Sequence, residues 1–322
     1  MRFVRIFKTC ATLLLYSQSV RAYTAAKTKT ALVTGSTDGI GVTTAKHLAS
    51  KGYNVILHGR DPNRIKAAMT TVSSFVSSHS PEDPQILSVE ADISTVQGCK
   101  RLVRQVQHLL ANHYLHLDVL MNNAGVFEPE HVLTEDHLEM TFAVNVMAPF
   151  VITSHLLPQL LSSNNGSHQS RVVVASSISQ CRSIDHWDDL QCTDRPYNTH
   201  RAYSESKLFD AMLSAEIGSR LADAGIGTDR ITCNSLDPGT VNTKMLLAGW
   251  GPCGIDVEDA LDQFWLCTSD EVKDVTGAYF NWKNVSKKAD AYSASERQKM
   301  WNVLSQIDPE SAHVWENLSV HL

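Results

Sequence analysis

Thr34-Gly35-Ser36-Thr37-Asp38-Gly39-Ile40-Gly41 follows a β-branched and apolar run, Thr30 to Thr34, and leads into a stretch with helical spacing from Val42 to Ser50. Glycine adopts dihedrals closed to other residues. Having no side chain, it also lets a pyrophosphate reach the amides at a helix N-terminus. A glycine triplet alone is weak evidence, because glycine clusters also build ordinary turns; the strand before it and the helix after it give it weight. The segment predicts a phosphate-binding βα turn, with Gly35, Ser36, Thr37, Asp38, Gly39, Ile40 and Gly41 around the phosphates.

Outward from this turn the same alternation continues. Asn54 to His58, Gln85 to Glu90, Leu117 to Met121, Arg171 to Ser176, Arg230 to Leu236 and Gly277 to Phe280 read as strands. Pro62 to Ser77, Thr95 to Asn112, Glu135 to Leu161 and Ala202 to Ala222 carry helix formers with apolar positions at 3.6-residue spacing. Strand and helix in alternation predict an α/β fold: a doubly wound parallel sheet in a three-layer α/β/α Rossmann arrangement. No Pro-, Gly- or Ser-rich linker divides the chain, so residues 28–322 read as one domain. Ser162 to Ser170 reads as an exposed loop.

The 322 residues are 43% apolar with a formal charge of -6, and the 28 basic residues are scattered, which argues against nucleic-acid binding. Seven cysteines form no C-x-x-C pair, and the 14 histidines show no H-x-x-x-H cluster, so no metal is expected. The first 37 residues hold six Lys or Arg and no acid. Residues 1–27 read as a targeting or anchor segment. Arg2, Arg5 and Lys8 oppose Phe3, Ile6, Phe7, Cys10 and Leu14, as in a transit peptide for a mitochondrion or plastid. The competing reading is an endoplasmic reticulum signal or membrane anchor, although a full span of about 20 apolar residues is absent.

The second strand ends in His58-Gly59-Arg60-Asp61, where an acid usually binds the adenosine ribose of NAD. Gly59 removes the repulsion a carboxylate would exert on a 2'-phosphate, and Arg60, helped by Arg64, can bind that group. NADP(H) is favoured. Asp38 inside the phosphate loop does not help a further phosphate and keeps NAD(H) as the alternative.

The T-G-S-x-x-G-I-G loop, Glu90-Ala91-Asp92-Ile93 after the third strand and Asn122-Asn123-Ala124-Gly125 after the fourth resemble the short-chain dehydrogenase/reductase family. The resemblance covers residues 30 to 282. It implies adenine contacts at Asp92 and Ile93, an adenine pocket lined by Asn123, Ala124 and Gly125, and a nicotinamide side held by Pro238, Gly239, Val241 and Thr243. Asn123 and Gly125 can at the same time form a tight strand-to-helix turn.

The fifth strand delivers Ser176 and Ser177 to the edge where a cofactor would lie, and Tyr203 precedes Lys207 by one helical turn. On a shared helical face an ammonium sits beside the phenol and favours its ionised form. An unperturbed tyrosine, with a pKa of about 10, exchanges protons poorly near neutrality. Tyr203 is the expected acid/base, Ser177 the hydrogen-bond donor to the substrate oxygen, and Lys207 also the nicotinamide-ribose ligand. The resemblance adds Asn145, whose backbone would hold a water linking Lys207 to solvent. It also adds a homodimer paired through the helices carrying Asn145 and Tyr203.

The interval between Ser177 and Tyr203 is longer than is common in the family. Its Ser183-Ile184-Asp185-His186-Trp187-Asp188 segment resembles the retinol dehydrogenase-like branch, whose members accept lipophilic aldehydes, ketones or alcohols. A lipophilic, retinoid-like partner is therefore expected. The alternatives are a steroid or fatty-acyl carbonyl reductase and an inactive nucleotide-sensing scaffold, which would have no use for a paired Tyr and Lys. His186 is a candidate for the substrate mouth, and Trp187 reads as a packing anchor. Met245 to Phe264 is the expected lid. Trp265, Trp282, Trp301 and Trp315 are expected to pack the C-terminal helices on the core.

Overall fold

Ala31 and Val33 face one side of a sheet and Leu32 the other, and all three are buried. A strand alternates its side chains between faces, so burial on both demands helices above and below. The computed structural model describes residues 28–80, 83–162, 169–286 and 293–318. Residues 1–27, expected to be a targeting or anchor segment, and most of the loop expected at 162–170 lie outside the described residues.

The strands are β1 Thr30–Val33, β2 Asn54–Gly59, β3 Ile86–Glu90, β4 Val119–Asn122, β5 Ser170–Ala175, β6 Ile231–Leu236, β7 Tyr279–Asn281 and β8 Asn284–Val285. Their order is β3-β2-β1-β4-β5-β6-β7-β8. All neighbours are parallel except β8, which returns antiparallel on β7. The chain reverses direction across the sheet between β1 and β4, the crevice where open α/β sheets bind ligands. This is the expected doubly wound α/β sheet.

The helices are α1 Gly39–Ser50, α2 Pro62–His79, α3 Val96–His113, α4 Met140–Ser162, α5 Thr199–Asp223, α6 Lys244–Gly249, α7 Asp262–Thr268, α8 Ala294–Ile307 and α9 Pro309–Glu316. One face of the sheet packs α1, α2 and α7; the other packs α3, α4 and α5, with α8 and α9 outside them. α4 is apolar and long enough to cross a membrane, but it is the buried core helix of this layer.

α4 begins at Met140, not at Glu135 as the periodicity suggests. His137 sits at φ 58°, outside the helical region, and Leu133 pairs with Glu139 in an isolated bridge. The Glu139 carboxylate then accepts the amides of Thr141 and Phe142, each at 2.8 Å, and starts the helix. Among the tryptophans, Trp301 and Trp315 pack as expected. Trp282 does not: at φ 50° in the β7–β8 turn, it is 64% exposed.

Candidate active site

Gly35 and Gly41 show why the loop after β1 needs glycine. A Cβ on Gly35, at φ +62°, would lie 2.8 Å from Ala124 Cα, and one on Gly41 would lie 2.4 Å from the Gly35 carbonyl oxygen. The backbone is left bare beside the N-terminus of α1, as a phosphate requires. Asp38 caps α1 by accepting the Gly39 amide at 2.9 Å. It also pairs with Lys244 at 2.5 Å and Arg64 at 3.1 Å. The hydrogen bond from Lys244 holds its carboxyl below the usual range, against the opposing effect of partial burial.

The loop is braced from behind by residues the motif does not reveal. The Gly35 amide donates to Nδ1 of His58, and the buried Ser36 hydroxyl accepts the His58 amide at 2.9 Å. Ser36 therefore faces β2 and does not line the cleft, because its side chain is spent on that brace. Asn123 donates to the Thr34 and Gly35 carbonyls at 2.8 and 3.1 Å and accepts from Gln263 at 3.0 Å. The bracing roles of Gln263 and His58 carry no signal in the sequence, because their partners are distant in the chain.

One cleft of about 710 Å³ runs along the carboxyl ends of the strands. It is lined by Gly35, Thr37, Asp38, Gly39, Ile40, Gly41 and Arg60 at one end. Asp92, Ile93, Ala124 and Gly125 line it with Asn123, and Pro238, Gly239, Val241 and Thr243 line it beyond β6. Ser177, Tyr203 and Lys207 line it too, so the residues drawn from separate motifs share one space. The shape and the bare loop fit a dinucleotide.

At the chemical end, Ser176 donates to the Lys207 carbonyl at 2.6 Å and is buried, leaving Ser177 for the cleft. The Ser177 hydroxyl accepts the Ser179 amide at 3.1 Å and shares a hydrogen bond with the Ser179 hydroxyl at 2.9 Å, and it favours the ionised form of Tyr203. Tyr203 is almost wholly buried. Burial raises its pKa, Lys207 opposes that rise, and Asp210 adds to it. Lys207 Nζ donates to the Ala175 carbonyl and to Asp210, both at 2.8 Å. Burial works against its charge, but Asp210 and Tyr203 together more than offset this and hold the ammonium above its ordinary range.

Asn145 lies off the cleft. It sits in a π turn, Ala143–Met147, where the Ala148 amide reaches back to the Ala143 carbonyl. Its side chain accepts from the Val126 amide at 2.8 Å and donates to Ser206 at 2.9 Å. The widened turn disturbs the regular carbonyl ladder, a device often found at functional sites.

Over Tyr203 lies a cluster of rings. Trp250, just beyond α6, meets Phe127 at 4.8 Å, His200 at 5.0 Å and Tyr203 at 5.7 Å between centroids. Val126, Val144, Ile178, Met245 and Leu246 make the adjoining wall apolar. Phe127 and His200 carried no sequence signal beyond being aromatic. His186 is exposed and outside the cleft lining, whereas Trp187 anchors the inserted loop against Phe209 at 5.5 Å and Glu296 at 3.1 Å.

The fold, the bare phosphate loop and the Ser-Tyr-Lys cluster define a dinucleotide-dependent oxidoreductase. A family profile described as short chain dehydrogenase matches residues 29–248. Human polyprenol dehydrogenase is 29% identical over 85% of this chain and 83% of its own, and human retinol dehydrogenase 13 is 30% identical over 85% and 82%. A crystal structure of an uncharacterised Mycobacterium paratuberculosis protein superposes with a TM-score of 0.68 at 23% identity, over 87% of this chain and 93% of that one. The chain belongs to the short-chain dehydrogenase family. It is an NAD(P)(H)-dependent enzyme that interconverts a carbonyl and a hydroxyl group.

Proposed function

We propose that the enzyme acts with NADP(H) on a lipophilic, retinoid-like aldehyde, ketone or alcohol, with Tyr203 as acid/base. The observation that carries the substrate class is the mouth: an apolar wall lines the cleft with Trp250, and the Trp250 and Phe127 rings meet Tyr203 edge-on, with His200 packed behind them. Such a surface favours an extended apolar body over a charged one. Relatives named for retinol and polyprenol act on molecules of that kind, which supports the reading.

The preference for NADP(H) is supported by charge. Arg60, Arg64 and Lys244 border the cleft beside the phosphate loop, where Asp38 pairs with Arg64 and Lys244 and leaves Arg60 outside those pairs. Gly59 ends β2 with no acid, and a Cβ there would meet Thr37 Cγ2 at 2.5 Å.

The cleft residues would hold a nicotinamide cofactor, which when bound would supply the hydride for reduction and accept it in oxidation. In reduction Tyr203 gives its phenolic proton to the carbonyl oxygen, which becomes the hydroxyl; in oxidation the phenolate takes that proton back. Ser177 donates a hydrogen bond to the same oxygen as charge gathers on it. Lys207 keeps the phenol's conjugate base accessible, and its remaining N–H would hold the ribose of a bound cofactor. Asn145 fixes the turn beside it.

The test compares kcat/KM on all-trans-retinal, a 17-ketosteroid and a medium-chain aldehyde with NADPH, for the parent and Tyr203→Phe. Retinal is expected to be preferred, and Tyr203→Phe to lose about 10²- to 10⁴-fold in kcat. A steroid or aldehyde preference would move the assignment to those carbonyls. Unchanged turnover in Tyr203→Phe would remove the acid/base assignment.

A further inference from the structure

Asp210 stands one helical turn beyond Lys207 on α5, facing the interior. Its Oδ2 accepts from Lys207 Nζ at 2.8 Å, its side chain is 1% exposed, and its Oδ1 is buried without a hydrogen-bond partner. Burying an ion pair costs several kcal/mol per ion in desolvation, and a carboxylate with one idle oxygen recovers little of it. As a stabilising device the arrangement is poor. Its position suggests another task, because the same ammonium stands 5.6 Å from the centre of the Tyr203 ring.

We propose that Asp210 is a positioning residue for the catalytic pair: its carboxylate holds Lys207 in place and sets how much of the ammonium's charge reaches Tyr203. The Ala175 carbonyl and Asp210 take two of the three N–H donors of Lys207, which confines the third to the cleft. Ionised, Asp210 cancels part of the field that draws a proton from the phenol; protonated, it leaves that field whole. Burial pushes its pKa up to about 7 against the pull of Lys207, so the change falls near neutral pH. Tyr203 responds in the matching sense, lowered by Lys207 and raised by Asp210.

Other titratable groups around α5 do not take over this role. Asp237, beyond β6, accepts the Ile178 amide and adds a small upward push on Tyr203. Cys233 in β6 is kept a thiol by burial, and Tyr279 lies on β7. Glu205 is taken by Arg195 and Arg201, and Glu216 by Arg220 and by Arg297 of α8. Glu139 caps α4, and Glu296 of α8 accepts from Trp187.

The inference rests on Tyr203 and Lys207 being the acid–base pair, but its test needs neither substrate nor cofactor. Tyrosinate absorbance is followed against pH for the parent, Asp210→Asn and Asp210→Glu, each referenced to the same protein carrying Tyr203→Phe. The Tyr203 midpoint is expected at least one pH unit lower in Asp210→Asn, a tenfold change in its ionisation, while Asp210→Glu stays near the parent. Coincident midpoints for the parent and Asp210→Asn, or an upward move, would overturn the proposal. If Asp210→Asn shows no cooperative thermal transition, Asp210→Ser, neutral and smaller, decides by the same criterion. A wrong substrate class leaves the titration untouched, and a wrong acid–base assignment is seen separately as unimpaired turnover in Tyr203→Phe.

Discussion

The Gly35 amide donates to Nδ1 of His58 at 3.0 Å, tying the first glycine of the phosphate loop to the end of β2. Nε2 must then carry the ring proton, which it donates to the Ala91 carbonyl at 3.1 Å. The brace works only with a neutral ring.

Burial pushes the His58 pKa down to about 4, from 6.5. Between those values the unfolded chain binds a proton that the folded chain refuses, so acidification destabilises the fold. His58 contributes fully above pH 6.5 and loses its contribution as the pH falls towards 4, a span of about 3 kcal/mol. Asp118 and Asp210, pushed by burial up to about 6 and about 7, act in the opposite sense and lose stability as the pH rises. The parent's own pH profile therefore mixes opposing slopes. The difference in unfolding free energy between the parent and His58→Asn isolates the histidine. It is expected to grow by about 3 kcal/mol from pH 4 to 7; a difference independent of pH would mean His58 titrates normally.

Asp38 competes for the cations at the cofactor mouth, since it already pairs with Lys244 and Arg64. Asp38→Asn keeps a competent helix cap and removes the negative charge. It is expected to tighten NADPH binding several-fold and NADH binding less. Arg60→Ala is expected to weaken NADPH about tenfold, or 1.4 kcal/mol, and leave NADH nearly unchanged. Fluorescence titration with both nucleotides measures the set. Equal losses of the two nucleotides in Arg60→Ala would show that Arg60 does not discriminate at the 2' position.

The sequence announced the sheet and the catalytic cluster because both depend on local pattern: alternation within strands, and Tyr203 and Lys207 on one turn of α5. It was silent where function is built from contacts between distant segments. Nothing around His58 signals that it faces Gly35, nor around Gln263 that it meets Asn123. Asp38 looked like an obstacle to NADP(H) because Lys244 lies far along the chain, and only the fold brings the two together. Helical periodicity runs on through Glu135 because it does not register a left-handed residue such as His137.

Trp250 closes on Phe127, His200 and Tyr203 from the segment following α6, and it is 40% exposed despite those contacts. The ring is thus packed at one edge while lining the cleft. Trp250→Ala is expected to raise KM for a long lipophilic carbonyl several-fold while NADPH affinity stays as in the parent. Steady-state kinetics beside nucleotide titration separate the two effects. An equal loss in nucleotide affinity would make Trp250 part of the cofactor site.

Trp301 seals the outer side of α4 and α5. It meets Phe150 edge-on at 5.2 Å and Trp315 at 5.5 Å, and the Arg220 guanidinium lies 3.9 Å from its ring centre. Trp315 adds a hydrogen bond to Ser154 at 2.7 Å, and Glu216 joins Arg220 to Arg297 across α5 and α8. The helices through which a homodimer was expected to pair are thus covered by α8 and α9 of the same chain. Sedimentation velocity of the parent is expected to give a monomer. Trp301→Ala, which empties a site only 4% exposed, is expected to cost about 3 to 5 kcal/mol in unfolding free energy. Loosening α8 in this way would also uncover Phe150 and the apolar flank of α4, so the variant is expected to self-associate where the parent does not. A parent dimer that dissociates on substitution of exposed residues of α8 would place the interface on the outer surface of these helices. A parent dimer in which α4 and α5 touch across the partners would contradict the covering itself.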